Sequence, residues 1–412
     1  MISMMILVGL LSFNIESNTL HAEDTELQRH FQTYTSYFDT SLSIQIYLEE
    51  GVNPDPIWDI VDSEFKKLHE LATRFESFDG LTNVKTINDN PDVAHEVDPA
   101  LLDITLLSLD YYNKTNGLFN VSLGPVIDVW DSYRTDCLEN GNCAVPSQSE
   151  LENANKYVNI DNIVVNEEDS TIMVTDGTLL DLGGIAKGYA AKVVGDLLKD
   201  HHAVEKFLLN AGTSNIEVFG DHPNPERVNG EWRVGLSDPN STNPIVSETF
   251  ASIQIFSGDN VMTSGDYQRF YTVDEVEYHH LIDPFTLWPA NTMRAVTVVG
   301  PDGAIGDIYA TAMFMMDVED ALNFINAIDD YEALIYGIDN LAYMSENFED
   351  KHLVELTIDI GDLEQDDPST SGEEPVENDD NANRAVIIIA VGFIVIMGSI
   401  GAVSYFLKVR KR

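Results

Sequence analysis

The sequence predicts an α+β fold: one catalytic domain of mixed sheets and helices, followed by a single C-terminal transmembrane helix. Three observations lead there. Short β-rich runs and amphipathic helical stretches are mixed without a regular strand–helix–strand rhythm, which argues against a doubly wound sheet. The 412 residues are 44% hydrophobic, enough for a sizeable core. Residues 385–407 (AVIIIAVGFIVIMGSIGAVSYFL) then run without one charge, longer than the roughly 20 residues a spanning helix needs.

From the N-terminus, residues 1–22 read as a signal peptide, with the apolar run MISMMILVGLLSF and a cleavage context at Thr19 to Ala22. The body is 23–361. Its alternating stretch TYTSYFDTSLSIQIYLEE (33–50) predicts a strand pair. Residues 57–78 carry Ile60, Val61, Phe65, Leu68 and Leu71 at helical spacing, with Asp59 and Asp62 near the start, so a helix is expected. A second helix is expected over 99–116, with Leu102, Leu106 and Leu109 on one face. Strand-like runs follow at 163–174, 207–219, 232–236, 249–256, 267–276 and 295–299. A last helix is expected over 306–328. Residues 362–384 are acidic and nearly free of apolar side chains, which predicts a disordered, self-repelling stalk. Beyond the apolar segment, 408–412 form a basic tail with Lys408, Arg410, Lys411 and Arg412. The positive-inside bias puts that tail in the cytoplasm and the body outside, as a single-pass cell-membrane protein.

Charge narrows the function. Twenty-two Lys+Arg against 70 Asp+Glu leave a formal charge of −48. Such a surface repels phosphate backbones, so no nucleic acid partner is expected. An anionic substrate must instead be met by a local device: a metal ion, a helix N-terminus or a positioned lysine. The two cysteines, Cys137 and Cys143, stand in the loop-like stretch TDCLENGNCAVP without a histidine cluster. They read as a loop-closing disulfide in an oxidising compartment, or as two reduced surface thiols.

Three stretches carry candidate chemistry. In 178–189 (TLLDLGGIAKGY) an apolar run ends at Asp181, then Gly183 and Gly184 turn the chain into a helix bearing Lys187 in its first turns. Backbone N–H groups and a lysine there suit a phosphate, although a tight turn with a solvated lysine has the same pattern. In 278–284 (YHHLIDP), His280 and Asp283 bracket two apolar residues, placing a titratable imidazole at a strand end. His279 reads as structural. In 306–312, Asp307 and Thr311 are four apart and share a helix face. Hard oxygens of this kind suit magnesium, though an aspartate early in a helix also complements its dipole.

The order of these motifs is more specific than any one of them. Residues 119–125 (FNVSLGP) with Trp130, 181–189 (DLGGIAKGY) and 209–212 (LNAG) come first. Then follow 263–269 (TSGDYQR), 280–284 (HLIDP) with Thr286 and Pro289, and Asp307 with Thr311. From about Phe38 to Ile325 the chain resembles the ApbE family of FAD:protein FMN transferases. These are extracytoplasmic enzymes that split FAD and attach FMN covalently to a threonine of a partner protein.

The resemblance implies that Asp307, Thr311 and the main-chain carbonyl of Gly184 hold Mg²⁺. It implies that Asp181 and Lys187 line the FAD site, with Asn120, Val121, Ser122, Phe38 and Phe78 nearer the dinucleotide's ends. His280 is implied as the catalytic histidine, taking a proton from the acceptor hydroxyl as AMP leaves. FAD is then a substrate, Mg²⁺ the cofactor, and an extracytoplasmic flavin-acceptor protein the partner. Two departures stand out: Phe285-Thr286-Leu287 replaces the family's Arg-Thr-Gly, and Thr213 replaces a glycine. Two other readings share the site: an FAD pyrophosphatase releasing FMN and AMP, and a non-catalytic membrane-tethered flavin-binding protein.

Overall fold

Alternation in the strands is what sets the architecture. In Leu42–Glu49 the side chains of Leu42, Ile44, Ile46 and Leu48 enter one apolar core, while Tyr47 enters another on the opposite face. In Met293–Gly300, likewise, Val296 and Val298 face the first core and Ala295 and Val299 the second. A strand whose two faces are both buried needs a layer on each side. The computed structural model describes residues 27–361, except 213, 242–247 and 268, all within the compact unit Met1–Asp362.

The central layer is an eight-stranded sheet. Its spatial order is Leu27–Tyr34, Leu42–Glu49, Lys206–Ala211, Asn215–Phe219, Asn260–Gly265, Met293–Gly300, Glu332–Gly337 and Ala342–Met344. Every neighbouring pair is antiparallel. Spatial order therefore follows chain order, and the helices arrive as insertions between successive strands. The longest insertion, between Glu49 and Lys206, supplies helices Asp55–Ala72, Pro99–Lys114, Gly124–Asn140 and Ala186–Asp200. On the opposite face lies a three-stranded sheet of Leu353–Leu356, Thr249–Ile255 and Trp232–Ser237. This is the α+β class expected.

Element boundaries moved where side-chain chemistry overrode periodicity. The expected strand pair forms, but its first strand is Leu27–Tyr34, because Phe38 and Asp39 are left-handed and turn the chain. The helix expected over 57–78 is Asp55–Ala72, ending as Arg74 turns inward to a set of carboxylates. The helix expected over 306–328 is two, Gly303–Phe314 and Val318–Asn326. Asp317 breaks the run by accepting the Asp320 N–H at 2.9 Å, an N-cap. The stretch 267–276 is a hairpin, Phe270–Val273 with Val276–His279, turned by left-handed Asp274 and Glu275.

Cys137 is not in a loop: it sits in the last turn of helix Gly124–Asn140 and is joined by a disulfide to Cys143 just beyond. The signal, stalk, transmembrane and tail segments of the sequence reading lie outside the described residues. Among the described residues no helix is long and apolar enough to cross a membrane.

Candidate active site

The glycine-rich stretch and the helix bearing Asp307 meet because one residue has no side chain. A Cβ at Gly188, in the first turn of helix Ala186–Asp200, would lie 2.6 Å from the Gly303 carbonyl oxygen and 2.9 Å from Asp307 Oδ2. Only glycine lets the two helices approach this closely. The Gly188 N–H then donates to Asp307 Oδ2 at 3.0 Å, and Asn215 Nδ2 reaches the same oxygen at 3.5 Å. Burial pushes the Asp307 carboxyl up, against the Lys187 cation, the Gly188 N–H and the Asn215 amide, which favour its anion. One turn further, Thr311 Oγ1 lies 3.4 Å from Ser264 Oγ. The Cβ position of Gly184 is 3.8 Å from Thr311 Cγ2, so the implied trio comes together.

A carboxylate, a hydroxyl and a main-chain carbonyl make a hard-oxygen set that fits Mg²⁺, which keeps waters or substrate oxygens in its other positions. Among the described residues no group of three or more His, Cys, Asp or Glu side chains is placed to hold a metal ion. The set therefore offers one carboxylate and neutral oxygens, which suits a metal that also takes phosphate oxygens.

These residues open onto a cavity of about 480 Å³ lined by Phe38, Asn120, Val121, Asp181, Gly184, Lys187, His280, Asp307 and Thr311. Two expected residues are not on its wall. Ser122 is fully buried behind it, where its N–H and hydroxyl both donate to Asn120 Oδ1 at 2.9 and 2.7 Å and so orient that amide. Phe78 is half-buried elsewhere, and Phe75, 62% exposed, lines the cavity in its place. The cause is the inward turn at Arg74, which brings the residue next to it to the wall.

Arg74 is the largest feature that sequence reasoning missed. Its side chain is 8% exposed and pairs with Asp181 (2.7 Å), Asp131 (2.9 Å) and Asp128. Asp181 in turn accepts the Gly183 N–H at 2.7 Å, and its own N–H donates to the Val121 carbonyl at 2.8 Å. Asp181 thus ties the glycine turn to the 119–125 motif. Arg134, Arg269 and Lys187 also line the cavity. Asp39 and Asp131 line it as well, and Arg134 pairs with Asp131 at 2.8 Å. In a chain of net charge −48, Lys187 and Arg269 are therefore the cations whose charge bears on an anionic ligand.

His280 and His279 separate cleanly. His279 is buried, its Nε2 lies 2.7 Å from the Ala290 carbonyl, and its ring meets Phe314 edge-on. His280 lines the cavity, and its Nδ1 is buried without a hydrogen-bond partner. Burial, then the Lys187 and Arg269 cations, push the His280 imidazole down to about 3, so it is neutral near pH 7. Asp283 does not reach the cavity. It caps the next turn, accepting from the Phe285 N–H at 2.7 Å and the Thr286 hydroxyl at 3.0 Å.

The family departures sit in that turn. Phe285 is 69% exposed, and Leu287 is left-handed (φ 67°), with its carbonyl accepting from Trp130 Nε1 at 2.9 Å. Leu287 thus takes a backbone conformation that glycine adopts more readily. Thr213 lies outside the described residues.

Comparison with known proteins follows the same lines. Residues 38–335 match the ApbE family. The FAD:protein FMN transferase of Klebsiella pneumoniae (strain 342) is 28% identical over 218 residues, 52% of this chain and 62% of that protein. Its counterpart from Treponema pallidum (strain Nichols) is 28% identical over 265 residues, 62% of this chain and 70% of that protein. The match thus spans less than two thirds of the Klebsiella relative. The crystal structure of the ApbE protein from Thermotoga maritima superposes with a TM-score of 0.67 at 29% identity, covering 78% of this chain and 98% of that one. Flavin transferase ApbE from Vibrio cholerae, 21% identical, shares the fold with a TM-score of 0.63 over 79% of this chain and 100% of its own.

Proposed function

The chain belongs to the ApbE family, and on that premise we propose that it is an Mg²⁺-dependent FAD:protein FMN transferase acting on a threonine of an extracytoplasmic partner. One observation carries the reading. Asp307, Thr311, Gly184, Lys187 and a neutral His280 all line one cavity of about 480 Å³. That size is within the range of small-molecule and cofactor sites.

In this mechanism Lys187, in the first turn of its helix, holds the FAD diphosphate oxygens. Asp307, Thr311 and the Gly184 carbonyl would hold Mg²⁺, which when bound neutralises charge on the diphosphate. His280, neutral near pH 7 and on the cavity wall, accepts the proton of the acceptor threonine hydroxyl. The hydroxyl oxygen attacks the FMN phosphorus, a phosphoester forms, the bond to the AMP phosphate breaks, and AMP leaves.

The test is incubation of the full chain with FAD, Mg²⁺ and candidate surface proteins, followed by mass spectrometry and nucleotide analysis. Protein-bound FMN with AMP in equal amount is expected. AMP with only free FMN would turn the reading to a pyrophosphatase. FAD bound but uncleaved would leave a flavin-binding protein.

The catalytic body works outside the cell in this reading, anchored by 385–407 on the 362–384 stalk. The charge-free segment, the basic tail after it and the signal-like start support that topology. So does the Cys137–Cys143 disulfide, which persists in oxidising compartments. A flexible stalk raises the effective concentration of neighbouring membrane-bound acceptors. Protease added to intact cells should release an active fragment cut in the stalk. Full protection, where a known surface protein is digested, would reverse the orientation.

A further inference from the structure

The turn joining the first two strands holds two consecutive non-glycine residues in the left-handed region, Phe38 (φ 55°) and Asp39 (φ 52°), and both line the cavity. A bulky side chain rarely adopts this conformation, and it persists where surrounding contacts over-determine it. Here the contacts come from three sides. From helix Asp55–Ala72, His69 Nδ1 accepts the Phe38 N–H at 3.2 Å, and its ring meets the Phe38 ring edge-on with centroids 5.4 Å apart. Asp62 on the same helix accepts the Tyr37 hydroxyl at 2.8 Å. From the far side of the mouth, Arg269 Nη2 donates to the Phe38 carbonyl at 3.2 Å.

From beneath, the Gly212 N–H donates to the Ser41 carbonyl at 3.1 Å. Gly212 is itself left-handed (φ 73°), and a Cβ there would fall 2.3 Å from Thr40 Oγ1. The glycine of the 209–212 motif is therefore what lets the turn seat on the sheet.

We propose that residues 37–40 form a preset clamp at the cavity mouth and that His69, itself on the cavity wall, is its positioning residue, acting on the bound dinucleotide chiefly through the Phe38 it holds. The proposal rests on the FAD reading of this cavity. A ring fixed before the ligand arrives adds affinity because no loop has to be ordered on binding. Since Nδ1 accepts the Phe38 N–H, the clamp needs the neutral His69 tautomer with its proton on Nε2.

The test measures FAD affinity of the full chain by flavin fluorescence without acceptor, together with kcat, KM and Tm. His69→Leu should weaken FAD about tenfold, the scale of one lost hydrogen bond, with kcat at saturating FAD within about twofold of wild type. His69→Gln, whose amide oxygen can accept the Phe38 N–H, should recover most of the affinity. Asp39→Gly should raise Tm by relieving the left-handed backbone, yet weaken FAD relative to Asp39→Asn, which removes the same charge but keeps the turn restricted. Opposite signs of stability and affinity are not expected of a turn that is only structural.

Equal FAD affinity in His69→Leu and wild type would overturn the clamp alone. Glutamine as weak as leucine would overturn the positioning role and make His69 a direct ligand contact. Absence of FAD binding by the wild type would overturn the transferase reading and the clamp with it.

Discussion

Asp307→Ala removes FAD cleavage, by at least about 10³-fold, while the protein stays folded. The size follows from what the carboxylate does. It is the one carboxylate in the hard-oxygen set, 4% exposed, and held rigidly by the Gly188 N–H at 3.0 Å. Losing one preorganised group that stabilises developing charge typically costs 10²–10³-fold, and losing metal-assisted stabilisation adds to that. Stability should move little or improve. Burial is the largest influence on this carboxyl and opposes its charge, so Asp307→Asn, which keeps an oxygen for the Gly188 N–H, should hold or raise Tm. Loss of function with retained stability is the pattern of a site that keeps a costly buried charge for chemistry. The measurement is AMP release from FAD by chromatography, with Tm by circular dichroism on the same samples. Full turnover of Asp307→Ala in EDTA would end the metal assignment.

How much of this was readable beforehand depended on range. Period-two burial in Leu42–Glu49 and the spacing of Val61, Phe65, Leu68 and Leu71 are local signals, and both elements exist. Ile60, read with that stripe, is however 46% exposed; Ile57 takes its place on the buried face, and the helix stops at Ala72. The pairing of Asp307 with Thr311 was local too, being one turn of one helix. Helix Gly124–Asn140 left almost no trace, because it opens on Gly-Pro and buries only a sparse set that includes Val126, Trp130 and Cys137. That is too thin a stripe to register as a period.

Arg74 shows the harder limit. Its partners Asp128 and Asp131 lie 54 and 57 positions away, and Asp181 further still. Nothing near residue 74 announces three carboxylates. The turn that Arg74 makes toward them also decides that Phe75, and not Phe78, faces the cavity. Gly188 was visible as part of a glycine-rich motif, but its reason was not. The reason is the approach of a helix more than a hundred residues later, and the hydrogen bond to Asp307 that this approach permits.

His280→Ala should keep FAD affinity within a few-fold of wild type and lower FMN transfer by about 10²–10⁴-fold, the range for loss of a general base. Geometry separates the two effects. The cations of Lys187 and Arg269 remain in the cavity for the diphosphate, whereas the imidazole on its wall is lost. The pH profile adds a sharper check. Burial and neighbouring cations hold the folded His280 at about 3, well under the ordinary 6.5. It therefore stays unprotonated through the range in which a free histidine would protonate, and the acid limb of kcat/KM should lie below 6.5.

Stability follows the same linkage. Below pH 6.5 the unfolded chain takes up a proton at this position while the folded chain does not, down to about 3. The group's contribution to stability is thus complete above pH 6.5 and lost as pH falls toward 3. Over that window His280→Ala should lose less stability than wild type, measured as the denaturation midpoint against pH. An acid limb at 6.5 with unchanged transfer in His280→Ala would place the base elsewhere. Reduced FAD affinity with normal transfer at saturation would make His280 a binding residue.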